Sequence, residues 1–316
     1  MKKVLVTGGA GFIGSHVADA FLARGDRVWI VDDLSTGKRD NVPAAATFVE
    51  VDINNAALEK VFSEAGGFDI ITHHAAQMDV RRSVEEPMFD ARVNILGLLN
   101  VLECTVRYGV GRFLLISSGG VVYGEAESRP TRETSAKRPA SPYGVSKLAA
   151  EYYLQCYQDL HGLDYAALRY ANIYGPRQDP HGEAGVVAIF CNRISAGEPA
   201  TIYGDGGQTR DYAFVGDVVA ANLVLADATL PRGGTMDERA FNVGTGIETS
   251  VTQLAHGLMK AADHEVPVQH APERAGELRF SCLDASRLRA LGWKPATSLD
   301  QGLRETYDFV VGGGNQ

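Results

Sequence analysis

The sequence predicts an α/β protein: a Rossmann-type doubly wound parallel sheet with a smaller C-terminal α/β substrate lobe. Three observations carry this reading. The first half alternates short apolar, β-branched runs with helix-like stretches. A glycine-rich turn joins the first run to the first helix. After Tyr170 the texture shifts toward Gly, Pro and Asp. The apolar runs fall at 3–7, 28–32, 47–51, 69–72 and 112–117, and the helical stretches at about 12–24, 55–65 and 88–108. Strands alternating with helices imply βαβ units and a parallel sheet covered on both faces.

A further helix is expected from Ser141. Serine is a good N-cap, Pro142 suits the first helical turn, and Gly162 stops the helix after His161. A sixth strand follows at about 165–170. Residues 171–215 surround one helical segment at about 186–197, and 217–229 read as another helix. The expected division is 1–170 as a dinucleotide-binding domain, with about 211–240 returning to it. Residues 171–210 and 241–316 form the lobe over the carboxyl ends of the sheet, where ligands bind in open α/β folds.

Composition fits an ordinary globular protein. The 316 residues are 45% hydrophobic and 22% charged, with a net charge of -9. Mixed, net-acidic charge argues against a nucleic-acid partner. No run approaches the roughly 18 apolar residues of a membrane span, and the start of the chain lacks signal-peptide features. The four cysteines, Cys104, Cys156, Cys191 and Cys282, are scattered without a C-x-x-C pair. They read as free thiols of a cytoplasmic protein, and no metal site is expected.

The segment Val4 to Gly14 runs strand, turn, helix, with Gly8, Gly11 and Gly14 at G-x-x-G-x-x-G spacing. Such spacing serves a tight turn, close backbone approach to a pyrophosphate, and close helix–strand packing. The helix N-terminus offers N–H groups and a positive dipole end to the phosphates. Asp32 ends the next strand, where a carboxylate can accept from a ribose 2′-hydroxyl and repel a 2′-phosphate. That favours NAD over NADP, although Lys38 and Arg39 nearby could offset the repulsion. Asp52 and Ile53 could flank an adenine, or Asp52 could be a helix N-cap. His74-Ala75-Ala76-Gln77 follow the fourth strand, where small residues let a cofactor lie against the backbone; His73 and His74 read as loop histidines.

Tyr143 and Lys147 stand i, i+4 on the helix that opens at Ser141, so they share a face. A free tyrosine titrates near pH 10 and is a poor base at neutrality. A neighbouring ammonium favours the phenolate and brings it toward the working range.

With these pieces assembled, the sequence resembles the extended short-chain dehydrogenases/reductases, and within them the UDP-glucose (UDP-galactose) 4-epimerases. The matching segments are TGGAGFIGSH at 7–16, VDDLSTG at 31–37, HHAAQ at 73–77, VYGE at 122–125, SPYGVSK at 141–147, RYANIYGPRQDPHGEAGVV at 169–187 and YGDGGQTRDYAFVGD at 203–217. They span the chain nearly end to end in family order. The resemblance implies an NAD-dependent isomerase. Tyr143 would take the proton from the sugar 4-hydroxyl, the C4 hydride would pass to a tightly held NAD, and the 4-keto sugar would turn and be reduced on its other face. Lys147 would lower the tyrosine pKa and hold the nicotinamide ribose. Phe12, Ile13, Asp33, Leu34, Ser35, Thr36, Gly37, Asn94, Ser117, Tyr170 and Ile173 would join the glycines, Asp32, Asp52, Ile53 and His74 to Gln77 around the cofactor.

For the UDP sugar, the resemblance points to Arg210 and Arg274 on phosphate and ribose, Glu277 on a ribose hydroxyl, Asn172 on a phosphate, Tyr203 near the uracil, and Val187 and Ser281 in the pocket. A single arginine could equally be a surface charge. The small Ser281 suggests room for a 2-N-acetyl group. One departure stands out. Where the family places Ser or Thr, four residues before Tyr123, this chain has Gly119. Ser118, or a water beside Gly119 and Gly120, is expected to supply that hydrogen bond; alternatively Ser117 and Ser118 only contact cofactor or backbone.

Three other readings are open to this sequence. A UDP-glucuronate 4-epimerase would use Arg177 or Gln178 near C6. A 4,6-dehydratase needs an acidic pair where the chain has Gly119-Gly120-Val121. A non-catalytic dinucleotide sensor would not need both Tyr143 and Lys147. Family relatives are commonly homodimers through two helices, here about 88–108 and 141–160. Leu98, Leu99, Leu102, Tyr152 and Leu154 are candidates for that seam, or for the core.

Overall fold

The computed structural model describes residues 1–179, 185–231, 233–273 and 278–313. Its strands, in chain order, are β1 (Lys3–Thr7), β2 (Arg27–Asp32), β3 (Thr47–Glu50), β4 (Ile70–His73), β5 (Arg112–Ser118), β6 (Tyr165–Tyr170), β7 (Asn172–Tyr174), β8 (Ala200–Tyr203), β9 (Thr209–Phe214), β10 (Ala240–Val243), β11 (Glu248–Ser250) and β12 (Val268–Ala271). Seven form one sheet in the order β10-β6-β5-β4-β1-β2-β3, with every neighbouring pair parallel. The chain winds outward through β1, β2 and β3, then returns to the other side of β1 at β4. The crevice at the carboxyl ends of β1 and β4 is therefore the switch point, where open α/β sheets bind ligands.

The strands are apolar on both faces because both faces are covered. Val4 and Val6 feed one core cluster and Leu5 the other. Ile30 and Trp29 divide in the same way. The first helix, Phe12–Ala23, packs beside helix Val215–Asp227, and Ala18, Phe21, Ala221 and Leu225 share the first cluster. A third cluster, from Tyr174 through Leu303, lies under the smaller sheets. There β9 pairs parallel with β7 and antiparallel with β11, and β8 pairs with β12.

Three expectations change. Residues 240–243, placed largely in the smaller lobe by the sequence, are the edge strand β10 of the main sheet. The stretch 88–108 is not one uniform helix: α-helices Pro87–Ala91 and Leu98–Arg107 flank a π-helical segment, Arg92–Gly97. A Cβ at Gly97 would stand 2.5 Å from Ile53 Cδ1, so glycine lets the π segment close onto the β3 loop. His73 is not a loop residue. It is the last residue of β4, buried and in register with Thr7 and Leu115. Among the described residues, no helix is long and apolar enough to cross a membrane.

Candidate active site

The glycine turn is shaped by backbone approaching backbone. A Cβ at Gly8 would lie 2.5 Å from Ala75 N, and one at Gly14 would lie 2.2 Å from Gly8 O. Gly8 also holds φ +69°, which only glycine adopts freely. At Gly11 the nearest contact to an added Cβ is Gly8 O, 3.3 Å away, so this position is open toward the crevice. Gly11 is the N-cap of helix Phe12–Ala23 with no side-chain cap. The first-turn N–H groups lack intrahelical partners by construction and suit an anion. Phe12 and Ile13 follow, half-buried.

Asp32 closes this turn from the next strand. Its carboxylate accepts from Ala10 N (2.9 Å) and Leu34 N (2.9 Å). Burial pushes its carboxyl up, and the two backbone N–H groups oppose this. Leu34 sits at φ 57°, and a Cβ at Gly37 would meet Asp32 Oδ1 at 2.8 Å, so the 33–37 loop wraps the carboxylate closely. Asp33 holds Ser35 through its N and Oγ (3.0 and 2.6 Å), and Ser35 and Thr36 are exposed. Asp52 is no helix cap: it accepts from Asn54 N and Nδ2, while helix Leu58–Ala65 starts after Ala57 without a side-chain cap. Ile53 is buried beneath it.

At the end of β4, Thr7 Oγ1 meets His73 Nδ1 and Thr72 Oγ1 meets His74 Nε2, both at 2.8 Å. Burial, with Lys147 adding to it, lowers both histidines to about 3, so they are neutral at working pH. Ala75 and Ala76 are half-buried. The Asn94 side chain brackets the Gln77 backbone, accepting at Oδ1 from Gln77 N (3.1 Å) and donating from Nδ2 to Gln77 O (2.9 Å). Both side chains also donate to Asp90. Among the described residues, no group of His, Cys, Asp and Glu could hold a metal ion.

Helix Pro142–His161 begins as its sequence dictates. Ser141 Oγ accepts from Gly144 N (3.1 Å), and Gly162 ends it at φ 68°. Lys147 is buried, donates from Nζ to Ile116 O (3.0 Å), and lies 5.7 Å from the centre of the Tyr143 ring. Burial lowers the Lys147 ammonium to about 8, against the opposing pull of Asp90 and Glu151. Glu151, one turn further along, is fully buried. It accepts from Ser117 Oγ (2.5 Å) and pairs with buried Arg169 (2.6 Å). Arg169 also donates to Tyr123 OH, which in turn bonds Asn242. Ser117 is therefore committed to Glu151, while Ser118 makes no cap bond where it opens the short helix Gly119–Tyr123. At Gly119 an added Cβ would lie 2.6 Å from Leu283 Cδ1, so a leucine methyl occupies the space a side chain would need. Asp90, Glu151 and Arg169 escaped the sequence reading. Glu151 continues the Tyr143–Lys147 stripe at i+4, and Asp90 precedes Asn94 by the same spacing, so the signal was present.

The fold recurs in known proteins. Residues 4–244 match the model of the NAD dependent epimerase/dehydratase family. The chain belongs to that family. The uncapped helix end and the open position at Gly11 fit the dinucleotide the family uses, NAD. The chain is 45% identical over 313 residues to a UDP-glucose 4-epimerase of Mycolicibacterium smegmatis, covering 97% of this chain and 98% of the relative. It resembles the crystal structure of the Thermotoga maritima UDP-glucose 4-epimerase with UDP-glucose, at TM-score 0.94 and 44% identity, over 98% of this chain and 99% of that one. The Thermus thermophilus UDP-glucose 4-epimerase complex with NAD is similar at TM-score 0.91 and 44% identity, over the same shares of the two chains.

Tyr170, at the end of β6, is buried and its OH accepts from Asn222 Nδ2 (2.6 Å), and Ile173 is half-buried. Asn172 is exposed on β7, in register with Tyr212 of β9. Arg210 NH1 donates to Thr209 O (2.8 Å) and its side chain is half-buried. Tyr203 ends β8, half-buried, and Ser281 is largely buried, its Oγ 3.6 Å from where a Cβ on Gly120 would stand. Val187 is fully buried in the third core cluster. Arg274 and Glu277 lie outside the described residues. Arg177 is held by Ser15 Oγ (3.1 Å) and Asp19 (2.7 Å) on the first helix.

Proposed function

We propose that this family member is a UDP-sugar 4-epimerase, an isomerase interconverting UDP-glucose and UDP-galactose, with room at Ser281 for the N-acetylated pair. The carrying observation is a phenol and a buried ammonium on one helix face, beside the switch point where the glycine turn opens. Bound NAD supplies a reversible hydride acceptor for the sugar C4. Tyr143 takes the 4-hydroxyl proton and later returns it. Lys147, charged below about pH 8, favours the phenolate electrostatically. Ser118 adjoins Gly119, makes no cap bond, and orients the 4-oxygen. Proton and hydride both return to the sugar, so no external oxidant is consumed.

In this reading residues 1–170 and about 211–240 serve NAD, with Gly8, Gly11, Gly14, Asp32 and the 33–37 loop as its main contacts. The smaller lobe serves the nucleotide: Arg210 and Asn172 the diphosphate, Tyr203 the uracil, Arg274 and Glu277 the ribose. The glucuronate alternative loses support, since Arg177 is committed to Asp19 and Ser15 and Gln178 Nε2 donates to Ile173 O. We further read the enzyme as a cytoplasmic homodimer. Leu98, Leu102 and Leu154 are fully buried core residues and Leu99 packs against them, so of the expected seam only Tyr152 is exposed. Met88, Leu96, Val145, Tyr153 and Leu160 on the same two helical stretches are also exposed.

The test is turnover of UDP-galactose by purified protein with its bound NAD and no added cofactor. UDP-glucose is the expected product. Tyr143→Phe should lose about 10²–10⁴-fold in turnover while keeping its NAD. No UDP-glucose from NAD-loaded protein overturns the reading.

A further inference from the structure

Asp90 lies in helix Pro87–Ala91 with no exposed surface. Its Oδ1 accepts from Asn94 Nδ2 (2.9 Å) and Gln77 Nε2 (3.2 Å), and its Oδ2 from Ser146 Oγ (2.6 Å). Amide nitrogens only donate, so this carboxyl is used as an acceptor. All three donors are neutral, and a buried carboxylate needs a balancing cation.

Among the described residues three cations are buried, and of these Arg239 is matched by Asp164 at 3.1 Å. Arg169 is already matched, by Glu151 at 2.6 Å and Asp237 at 3.1 Å. The third is Lys147, next in sequence to Ser146, whose Nζ hydrogen bond goes to a neutral carbonyl. The groups that act on Lys147 are Asp90 from the neighbouring helix, Glu151 and Tyr143 from its own, and neutral His73 and His74 from the end of β4. With Glu151 taken by Arg169, Asp90 is the carboxylate left to balance Lys147.

We propose that Asp90 is a positioning residue: it balances the Lys147 ammonium and, through the same two oxygens, ties the Gln77 loop and Asn94 to the helix that carries Tyr143 and Lys147. This rests on the reading of Tyr143 and Lys147 as the reacting pair. It explains why the polar residues after β4, the π segment and the start of helix Pro142–His161 converge on one carboxyl. Without the anion, Lys147 gives up its proton at lower pH, and the phenolate loses its support.

The test joins a pH profile to a stability cycle on NAD-loaded protein. Asp90→Asn keeps the shape and removes the charge. The alkaline limb of kcat for UDP-galactose should move down by about one pH unit, with turnover at pH 8 falling about fivefold. In the cycle, Asp90→Asn and Lys147→Met each lower Tm, and the double variant should lose less than the sum, because each single change strands one buried charge. If Asp90→Asn alone does not fold, the uncharged double variant should, and a double variant that also fails to fold overturns the proposal. Additive Tm losses, or an alkaline limb that stays in place, also overturn it. If the parent protein fails to epimerise UDP-galactose, the functional reading falls, while the Tm cycle still decides whether Asp90 balances Lys147.

Discussion

The glycine turn and the Tyr143–Lys147 face sit at one crevice but are built by opposite means. The turn is made of backbone against backbone, with constraints that lie within seven residues or one strand away: Gly14 on Gly8, Gly8 on Ala75. The Tyr143–Lys147 face is made of buried carboxylates matched to hydroxyls and one arginine elsewhere in the chain: Asp90 to Ser146, Glu151 to Ser117 and Arg169. The first is governed by steep repulsion, the second by desolvation and pairing. A change to the turn should therefore act through shape whatever the pH, and a change to the face should act through protonation.

The largest expected effect breaks the turn. In Gly14→Ala the new Cβ would stand 2.2 Å from the Gly8 carbonyl oxygen and 3.0 Å from Gly9 Cα. Both are backbone atoms, so no rotamer change relieves the clash. We expect a loss of about 3 kcal/mol or more, read as a fall in Tm, together with loss of NAD from the purified protein. Gly11→Ala sharpens the contrast. Its Cβ meets only Gly8 O at 3.3 Å, and φ there is -79°. The protein should fold with nearly unchanged Tm and, on the proposed NAD-binding reading, retain NAD poorly, because the methyl would project toward the proposed pyrophosphate site. Equal Tm losses for the two variants would contradict the steric account.

The same distinction explains what the sequence made legible. The turn, Asp32, and the caps Ser141 and Gly162 are readable because each obeys a local rule. Tyr143 and Lys147 are readable because helix spacing alone puts them together. Arg169 was missed because its role exists only once Tyr123 and Asp237, tens of positions away, arrive beside it; Asp90 carries a local mark in its spacing to Asn94, but its bond to Ser146 does not show in the sequence. The β10 strand was misplaced for a related reason: four apolar residues, Ala240–Val243, carry no local mark of which sheet they join. Gly119 lies between these cases. The sequence shows that the usual hydroxyl is missing, but only the structure shows Leu283 filling the space.

That substitution gives an intermediate effect. Gly119→Ser should restore a hydroxyl at the usual place only by displacing Leu283, whose methyls would lie 2.6 and 2.8 Å from the new Cβ. Leu283 is buried, so we expect a cost of about 1–3 kcal/mol from overpacking. Adding Leu283→Ala should recover part of it. Thermal unfolding of the single and double variants measures this coupling. If the two changes are independent, Leu283 is not what excludes a side chain at 119.

The smallest effect concerns a polar group for which neither strategy has provided. Tyr212 of β9 is buried, and its hydroxyl has no hydrogen-bond partner among the described residues. Its ring is held independently, edge-on to Tyr174 with centroids 6.5 Å apart. Tyr170 is the matched opposite: equally buried, with its hydroxyl accepting from Asn222 at 2.6 Å. An unpaired buried polar group costs about 1–3 kcal/mol, whereas a satisfied one contributes about 0.5–1.5 kcal/mol. Tyr212→Phe should therefore leave the Tm unchanged or raise it by a few degrees, and Tyr170→Phe should lower it by a similar amount. Ring packing is preserved in both, so the difference in sign isolates the hydroxyl. If both variants lose stability equally, the Tyr212 hydroxyl is solvated or bonded in solution, and the smaller lobe satisfies its polar groups as completely as the Lys147 network does.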